Sequence, residues 1–169
     1  MKKLDRDDLP LDQITVLLAE DHTAYRKSLK LLVESDGDID VIGAAKNGCE
    51  AVRLNKRLHP DVILMDIAMP LLNGLQATRQ ILATFPATKV LMLSSHSDPE
   101  YIEQAMLFGA SGYLLKQSSA IVLVQAIREV LMGNAYFSAA ISKQLRDRCQ
   151  KIFEQNSAPA SGVQLSGAS

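Results

Sequence analysis

Short apolar segments alternate with longer amphipathic segments along most of this chain. The apolar runs are typical of buried strands, and the segments between them repeat their apolar positions at helical spacing. The predicted strands are 14–19, 39–44, 61–66, 89–94 and 112–116. The predicted helices are 23–34, 48–58, 74–84, 99–109 and 119–132. Because the strands are nearly continuous in apolar residues, we expect a parallel sheet covered by helices on both faces.

This alternation predicts an α/β fold with a doubly wound, five-stranded parallel sheet, for which we expect the flavodoxin-like strand order 2-1-3-4-5. In such sheets the ligand binds beyond the carboxyl ends of the strands, where the strand order reverses. The residues that follow each strand are therefore the first candidates for a functional site.

The alternation stops after Gly133, and the segments outside 13–135 have a different character. Apolar residues at helical spacing predict an amphipathic helical extension over 136–155. We expect this helix either to pack on its own domain or to pair with a second copy. Residues 1–12 are expected to be an N-terminal tail. The Ala-, Ser- and Gly-rich segment 156–169 is typical of a flexible linker.

Composition narrows the function classes. The 169 residues are 47% hydrophobic and 22% charged, and 18 basic against 19 acidic side chains give a net charge of −1. This balance argues against nucleic-acid binding by this chain alone. We recognise no signal peptide and no membrane-spanning run, and the two cysteines form no metal-binding motif. We therefore expect a cytoplasmic protein with no membrane partner.

Polar or charged residues stand at the ends of four of the five predicted strands. They are Glu20 and Asp21 after the first, Asp66 in the third, Ser94 in the fourth and Lys116 in the fifth. The first and third strands are neighbours in this topology, so three carboxylates converge and repel one another unless a cation is bound. Oxygen ligands of this kind favour Mg²⁺.

The same set of residues suits phosphoryl transfer. Lys116 supplies a positive charge and Ser94 a hydroxyl group, which together can stabilise a transferring phosphoryl group. A carboxylate can itself be the nucleophile, and Asp66 is the natural candidate because it lies between the acidic pair and the other two side chains.

Four sequence blocks resemble the signature motifs of response-regulator receiver domains, and most closely those of the NarL/FixJ type. The blocks are Ala19-Glu-Asp-His22, Leu64-Met-Asp-Ile-Ala-Met-Pro70 with Asn73-Gly74, Leu91-Met-Leu-Ser-Ser-His96, and Gly109-Ala-Ser-Gly-Tyr-Leu-Leu-Lys116. The resemblance covers about residues 13–135 and implies two-component signalling.

The resemblance also implies a role for each site residue. Asp66 would accept phosphate from the phosphohistidine of a sensor histidine kinase. Asp21 and Asp66 would bind Mg²⁺ directly, with Mn²⁺ as a substitute, and Glu20 would act through water. The third protein ligand would be the backbone carbonyl of Ala68.

Two further residues match the switch positions of the family. The hydroxyl group of Ser94 would move toward the phosphoryl group on Asp66, and the ring of Tyr113 would move inward at the same time. Lys116 would form an ion pair with the phosphoryl group. The signal would then be read from the surface formed by the fourth helix, fifth strand and fifth helix.

We therefore expect a phosphorylation switch whose only chemistry is self-phosphotransfer and autodephosphorylation, and not an enzyme acting on a separate substrate. A homodimer formed on phosphorylation is a further expectation. Gln164-Leu-Ser166 resembles the start of a helix-turn-helix domain, so DNA binding would belong to a longer transcriptional regulator. Either a longer parent or a naturally shorter regulator is consistent with the sequence. The alternative function is a receiver-like interaction module that takes no phosphate.

Overall fold

The computed structural model describes residues 13–157, which form six strands and six helices. In chain order these are β1 (Ile14–Ala19), α1 (Thr23–Glu34), β2 (Ile39–Ala45), α2 (Gly48–Leu58), β3 (Val62–Asp66), α3 (Gly74–Thr84), β4 (Lys89–Ser94), α4 (Pro99–Leu107), β5 (Gly112–Leu115), α5 (Ala120–Leu131), β6 (Tyr136–Phe137) and α6 (Ala139–Ser157). None of the helices in 13–157 has both the length and the hydropathy needed to cross a membrane. The predicted tail 1–12 and residues 158–169 of the predicted linker, with Gln164-Leu-Ser166, lie outside the described residues.

The strands form one parallel sheet in the order β2-β1-β3-β4-β5-β6. The doubly wound fold and its predicted order 2-1-3-4-5 are confirmed, but a sixth strand extends the sheet. This segment falls within the predicted helical extension 136–155, because a strand of two residues is too short to show a strand pattern in the sequence. Gly112 makes the pairing feasible, since a Cβ atom there would lie 2.1 Å from the carbonyl oxygen of Tyr136.

The core has two halves, one on each face of the sheet. Alternate residues of β1 point to opposite faces: Val16 and Leu18 pack beneath α1 and α5, whereas Leu17 and Ala19 pack beneath α2, α3 and α4. Because both faces are covered, the central strands β1, β3 and β4 are buried along nearly their whole length and show no alternation of buried and exposed residues. A ligand can therefore reach the sheet at the ends of its strands.

The connection between β3 and α3 brings a helix N-terminus close to the end of β3. A Cβ atom at Gly74 would lie 1.8 Å from the carbonyl oxygen of Asp66, so only glycine allows α3 to begin this close to the strand. The loop reverses direction in a tight turn, in which the amide of Leu72 donates to the carbonyl of Pro70 at 2.8 Å. Leu71 lies at the centre of this turn with φ of 68°, a strained conformation for a leucine.

The first half of α6 packs on the domain that precedes it. Ile141 is completely buried, and Leu145 packs against the same apolar cluster. The side-chain amide of Gln144 donates from Nε2 to the carbonyl of Ser97 at 2.9 Å, and Arg148 forms an ion pair with Glu103 at 2.7 Å. These contacts favour the first of the two expectations for this helix, packing on its own domain.

We expect Ile141→Ala to lower the free energy of unfolding by about 2 to 5 kcal/mol, because it leaves a cavity in the core. The matched control is Ile152→Ala, since Ile152 lies on the same helix but is 50% exposed. We expect this control to change stability by less than about 0.5 kcal/mol. Urea unfolding of the two variants and the parent is the measurement, and equal effects of the two substitutions would contradict the packing of α6.

Candidate functional site

The register of the sheet brings the polar strand ends together at one edge. Ala19 pairs with Met65, so the next residues on these two strands, Glu20 and Asp66, lie at the same level. Asp66 in turn pairs with Leu93, which places Ser94 one residue further out. The amide of Lys116 donates to the carbonyl of Ser94 at 2.9 Å. Parallel pairing thus gathers residues from four strand ends into one crevice.

Three carboxylates form the centre of this crevice. One oxygen from each of Glu20, Asp21 and Asp66 lies within 4.8 Å of the others, close enough to bind one cation together. Glu20 and Asp66 are buried, whereas Asp21 is exposed to solvent. The Oε1 atom of Glu20 accepts from the amide of His22 at 2.9 Å. The carboxylate cluster is therefore open on the side of Asp21.

Lys116 is the positive charge that faces the two buried acids. Its Nζ atom lies 2.6 Å from Oε2 of Glu20 and 3.2 Å from Oδ1 of Asp66. Burial lowers the pKa of Lys116, but the two carboxylates more than offset this, so that its pKa is raised overall. The ammonium group therefore stays charged and joins the two acids.

Asp66 is held in an environment that disfavours its charge. Burial raises the pKa of Asp66 to about 6, and the charges of Glu20 and Asp21 act in the same direction. Lys116 opposes this shift through its charge and its hydrogen bond. A nearby cation would stabilise the ionised form of such a carboxylate. Covalent modification of one of its oxygens would replace the disfavoured charge by a different group.

Ser94 and Tyr113, the two predicted switch residues, are joined through one residue of the loop after β4. The amide of His96 donates to Oγ of Ser94 at 3.1 Å, and the hydroxyl of Tyr113 donates to the carbonyl of His96 at 3.0 Å. Tyr113 is only 1% exposed, and this burial raises its pKa. Its ring thus points into the protein, next to the loop that follows Ser94.

Ala68 lies exposed in the loop that follows β3. Its neighbours form a tight turn, in which the amide of Met69 donates to the carbonyl of Ile67 at 3.1 Å. Ala68 thus lies at the same end of the sheet as Asp66. The metal-binding role of its backbone carbonyl stays a prediction.

Two residues of the first turn of α1 also contact the site, and the sequence pattern does not predict them. The hydroxyl of Tyr25 donates to the carbonyl of Lys116 at 3.3 Å, and the Lys116 ammonium lies 4.9 Å from the centre of the Tyr25 ring. Arg26 donates to the carbonyl of Glu20 at 2.6 Å. A helix that begins two residues after Asp21 indicates that its first turn lies near the crevice. Which of its side chains face the crevice depends on the geometry of the loop before it.

Comparison with known sequences gives the family. The profile described as "Response regulator receiver domain" matches residues 16–128. The transcriptional regulatory protein DegU of Brevibacillus brevis is 34% identical over 152 residues, which are 90% of this chain and 64% of DegU. LnrK of Bacillus subtilis is 39% identical over 132 residues, 78% of this chain and 60% of LnrK. The chain thus spans less than two thirds of the length of these relatives.

Comparison with solved structures also finds response regulators and their receiver domains. A two-component response regulator of the LuxR family from a species of Aurantimonas matches with a TM-score of 0.79 and 30% identity, covering 82% of this chain and 99% of that one. The signal receiver domain of the response regulator NarL from Mycobacterium tuberculosis matches with a TM-score of 0.69 and 31% identity, covering 73% and 99%.

The raised pKa of Asp66 predicts a stability difference that depends on pH. A carboxyl group whose pKa lies above its unfolded value of 3.8 contributes stability below that value, and the contribution is lost as the pH rises through about 6. An asparagine at position 66 does not ionise, so in the absence of metal Asp66→Asn does not lose stability in this way as the pH rises. We therefore expect the unfolding free energy of the variant, relative to the parent, to rise between about pH 4 and pH 7 and then to stay constant.

Urea unfolding at a series of pH values measures this difference. Asp147→Asn, which removes one acid from the exposed face of α6, is the control for a change in net charge. A relative stability of Asp66→Asn that does not vary with pH, or that varies as in this control, would contradict the environment described for Asp66.

Proposed function

Because this chain belongs to the response regulator receiver domain family, we propose that Asp66 is the residue at which it takes up phosphate. A receiver domain is the phosphoacceptor of a two-component system, and this role follows from the family. What supports the choice of Asp66 is its position, since this buried carboxylate contacts Lys116 and shares a possible cation site with Glu20 and Asp21.

The proposed reaction is a transfer of one phosphoryl group to a carboxylate oxygen of Asp66. Receiver domains of response regulators interact with histidine kinases, and the donor would be the phosphohistidine of such a kinase. The bond between phosphorus and the histidine nitrogen breaks, the bond between phosphorus and the Asp66 oxygen forms, and the nitrogen takes up a proton. Lys116 would hold the negative charge that develops on the phosphoryl oxygens.

Receiver domains bind Mg²⁺ at an acidic pocket, and the donor set of this crevice fits such an ion. Carboxylate oxygens are the ligands that Mg²⁺ prefers, and the three acids bring their oxygens within 4.8 Å of one another. We propose Asp21, Asp66 and the carbonyl of Ala68 as direct ligands, with Glu20 acting through water and Mn²⁺ as a substitute. When bound, the ion neutralises charge on the carboxylates and on the phosphoryl group.

The proposed chemistry is confined to this chain and its phosphodonor. Water would later hydrolyse the bond between phosphorus and Asp66, which releases inorganic phosphate and restores the carboxylate. We therefore propose a switch with self-phosphotransfer and autodephosphorylation activity, and not an enzyme that converts a separate substrate.

The names of the relatives suggest what such a switch controls. DegU and LnrK are transcriptional regulatory proteins, and the chain matches only part of each. We propose that this receiver regulates transcription, with DNA bound by a helix-turn-helix domain and not by the receiver. A homodimer formed on phosphorylation and a cytoplasmic location belong to the same proposal.

Acetyl phosphate with Mg²⁺ tests the phosphoacceptor directly. We expect the intact protein to gain the mass of one phosphoryl group, and Asp66→Asn to gain none, because the amide cannot form the acyl phosphate. Mass spectrometry of the intact protein is the measurement.

The control for this test is Asp147→Asn, which we expect to gain the phosphoryl group as the parent does. If the parent gained no mass, or if Asp66→Asn gained the same mass, Asp66 would not be the phosphoacceptor. If the parent gained no mass, the interaction module that takes no phosphate would be the better description of the domain.

The loop after β4 is the proposed route by which phosphate changes the surface. The hydroxyl oxygen of Ser94 accepts from the amide of His96, and it would leave this amide if it moved toward a phosphoryl oxygen on Asp66, as the family resemblance implies. The carbonyl of His96 holds Tyr113, and Gln144 of α6 is bound to the next residue, Ser97. Movement of Ser94 would therefore reach both the aromatic switch residue and α6.

We expect hydrogen exchange of the His96 amide to be faster in the phosphorylated parent than in the unphosphorylated one, because the bond to Ser94 is lost. In Ser94→Ala this amide should exchange fast before phosphorylation and change little afterwards. Exchange measured by NMR with and without acetyl phosphate checks this. An unchanged His96 amide in the phosphorylated parent would contradict the proposed route.

A further inference from the structure

We propose that Tyr25 is a positioning residue for Lys116, which directs the lysine ammonium between Glu20 and Asp66. The inference rests on the proposed function, because it assigns to Tyr25 an effect on the phosphorylation of Asp66. Tyr25 belongs to the first turn of α1 and contacts both ends of Lys116, although the two residues are 91 positions apart.

The two contacts constrain different parts of the lysine. The hydroxyl of Tyr25 donates to the backbone carbonyl of Lys116 at 3.3 Å, which ties the start of α1 to the end of β5. The ring centre of Tyr25 lies 4.9 Å from Nζ, within the range of a cation–π interaction. The tyrosine thus holds the lysine at its backbone and at its charged group.

A lysine at this position needs such a constraint. Its four-carbon side chain is flexible, and an ammonium group is strongly hydrated, so solvent competes with the carboxylates for it. The Lys116 side chain is nevertheless only 18% exposed, and its Nζ lies within 3.2 Å of both buried acids. The Tyr25 ring closes one side of the ammonium group, and this favours the conformation in which Nζ faces the acids over one in which it extends into water.

The position of Lys116 has opposite consequences for metal binding and for phosphorylation. The ammonium and a divalent cation neutralise the same carboxylates, so a lysine held at Glu20 and Asp66 weakens the binding of Mg²⁺ to the unphosphorylated site. The same held ammonium stabilises the phosphoryl oxygens during transfer to Asp66. Loosening Lys116 should therefore strengthen Mg²⁺ binding and slow phosphorylation, a combination that general destabilisation of the fold does not produce.

Tyr25→Leu and Tyr25→Phe separate the contribution of the ring from that of the hydroxyl. We expect Tyr25→Leu to bind Mg²⁺ more tightly, with a dissociation constant lower by about twofold to tenfold in calorimetry, and to be phosphorylated by acetyl phosphate at saturating Mg²⁺ about three to thirty times more slowly. Tyr25→Phe keeps the ring, so we expect its rate to lie within about threefold of the parent. Tyr25→Met serves as a second ring-free variant if Tyr25→Leu does not fold.

Tyr136 offers a matched control, because it is also a partly buried tyrosine but lies at the far edge of the sheet. We expect Tyr136→Leu, where folded, to have the Mg²⁺ affinity and the phosphorylation rate of the parent. A folded ring-free variant of Tyr25 that binds Mg²⁺ no more tightly than the parent, or that is phosphorylated at the parent rate, would overturn the role of Tyr25. If the parent itself gained no phosphoryl group, the proposed function would fail, and the Mg²⁺ affinities alone would then decide whether Tyr25 positions Lys116.

Discussion

The repulsion between Glu20, Asp21 and Asp66, and its partial compensation by Lys116, is the interaction on which the rest of this site depends. Two of these acids are buried, and a buried carboxylate without a cation is strongly disfavoured. One ammonium group cannot neutralise three acids, so the crevice keeps an excess of negative charge. That excess would favour the binding of a divalent cation, and the same lysine is the proposed contact for a phosphoryl group.

The repulsion between these acids destabilises the folded state, and apolar packing in the two halves of the core compensates for it. The charged residues stand at the ends of strands whose interiors are fully buried, so their positions are fixed by apolar packing on both faces of the sheet. Gly74 adds a second constraint, because the start of α3 lies directly against the backbone of Asp66. Rigid elements thus hold groups together that would separate in a more flexible protein.

Most of the fold and the central residues of the site could be predicted from the sequence, because both follow from periodicity and topology. Once the strands were recognised as parallel, their carboxyl ends had to meet, and Asp66 and Lys116 came together although 50 positions separate them along the chain. The short strand β6 and the contact of Tyr25 with Lys116 could not be predicted. The first is too short to have a period, and the second depends on how loops and helix ends are oriented, which local patterns do not encode.

The two switch residues, Ser94 and Tyr113, belong to neighbouring strands but are connected to each other and to α6 through the loop that follows β4. Ser94 ends β4, and the next residues carry hydrogen bonds to Tyr113 and to Gln144, so one short segment connects the crevice, the sheet and the last helix. A loop can exchange such bonds at low cost, whereas a strand would have to break its pairing with two neighbours. Because Ile141 anchors the start of α6 in the core, a shift of this loop would act on the helix beyond that anchor. The proposed coupling therefore requires a loop that can move and a helix whose start stays fixed in the core.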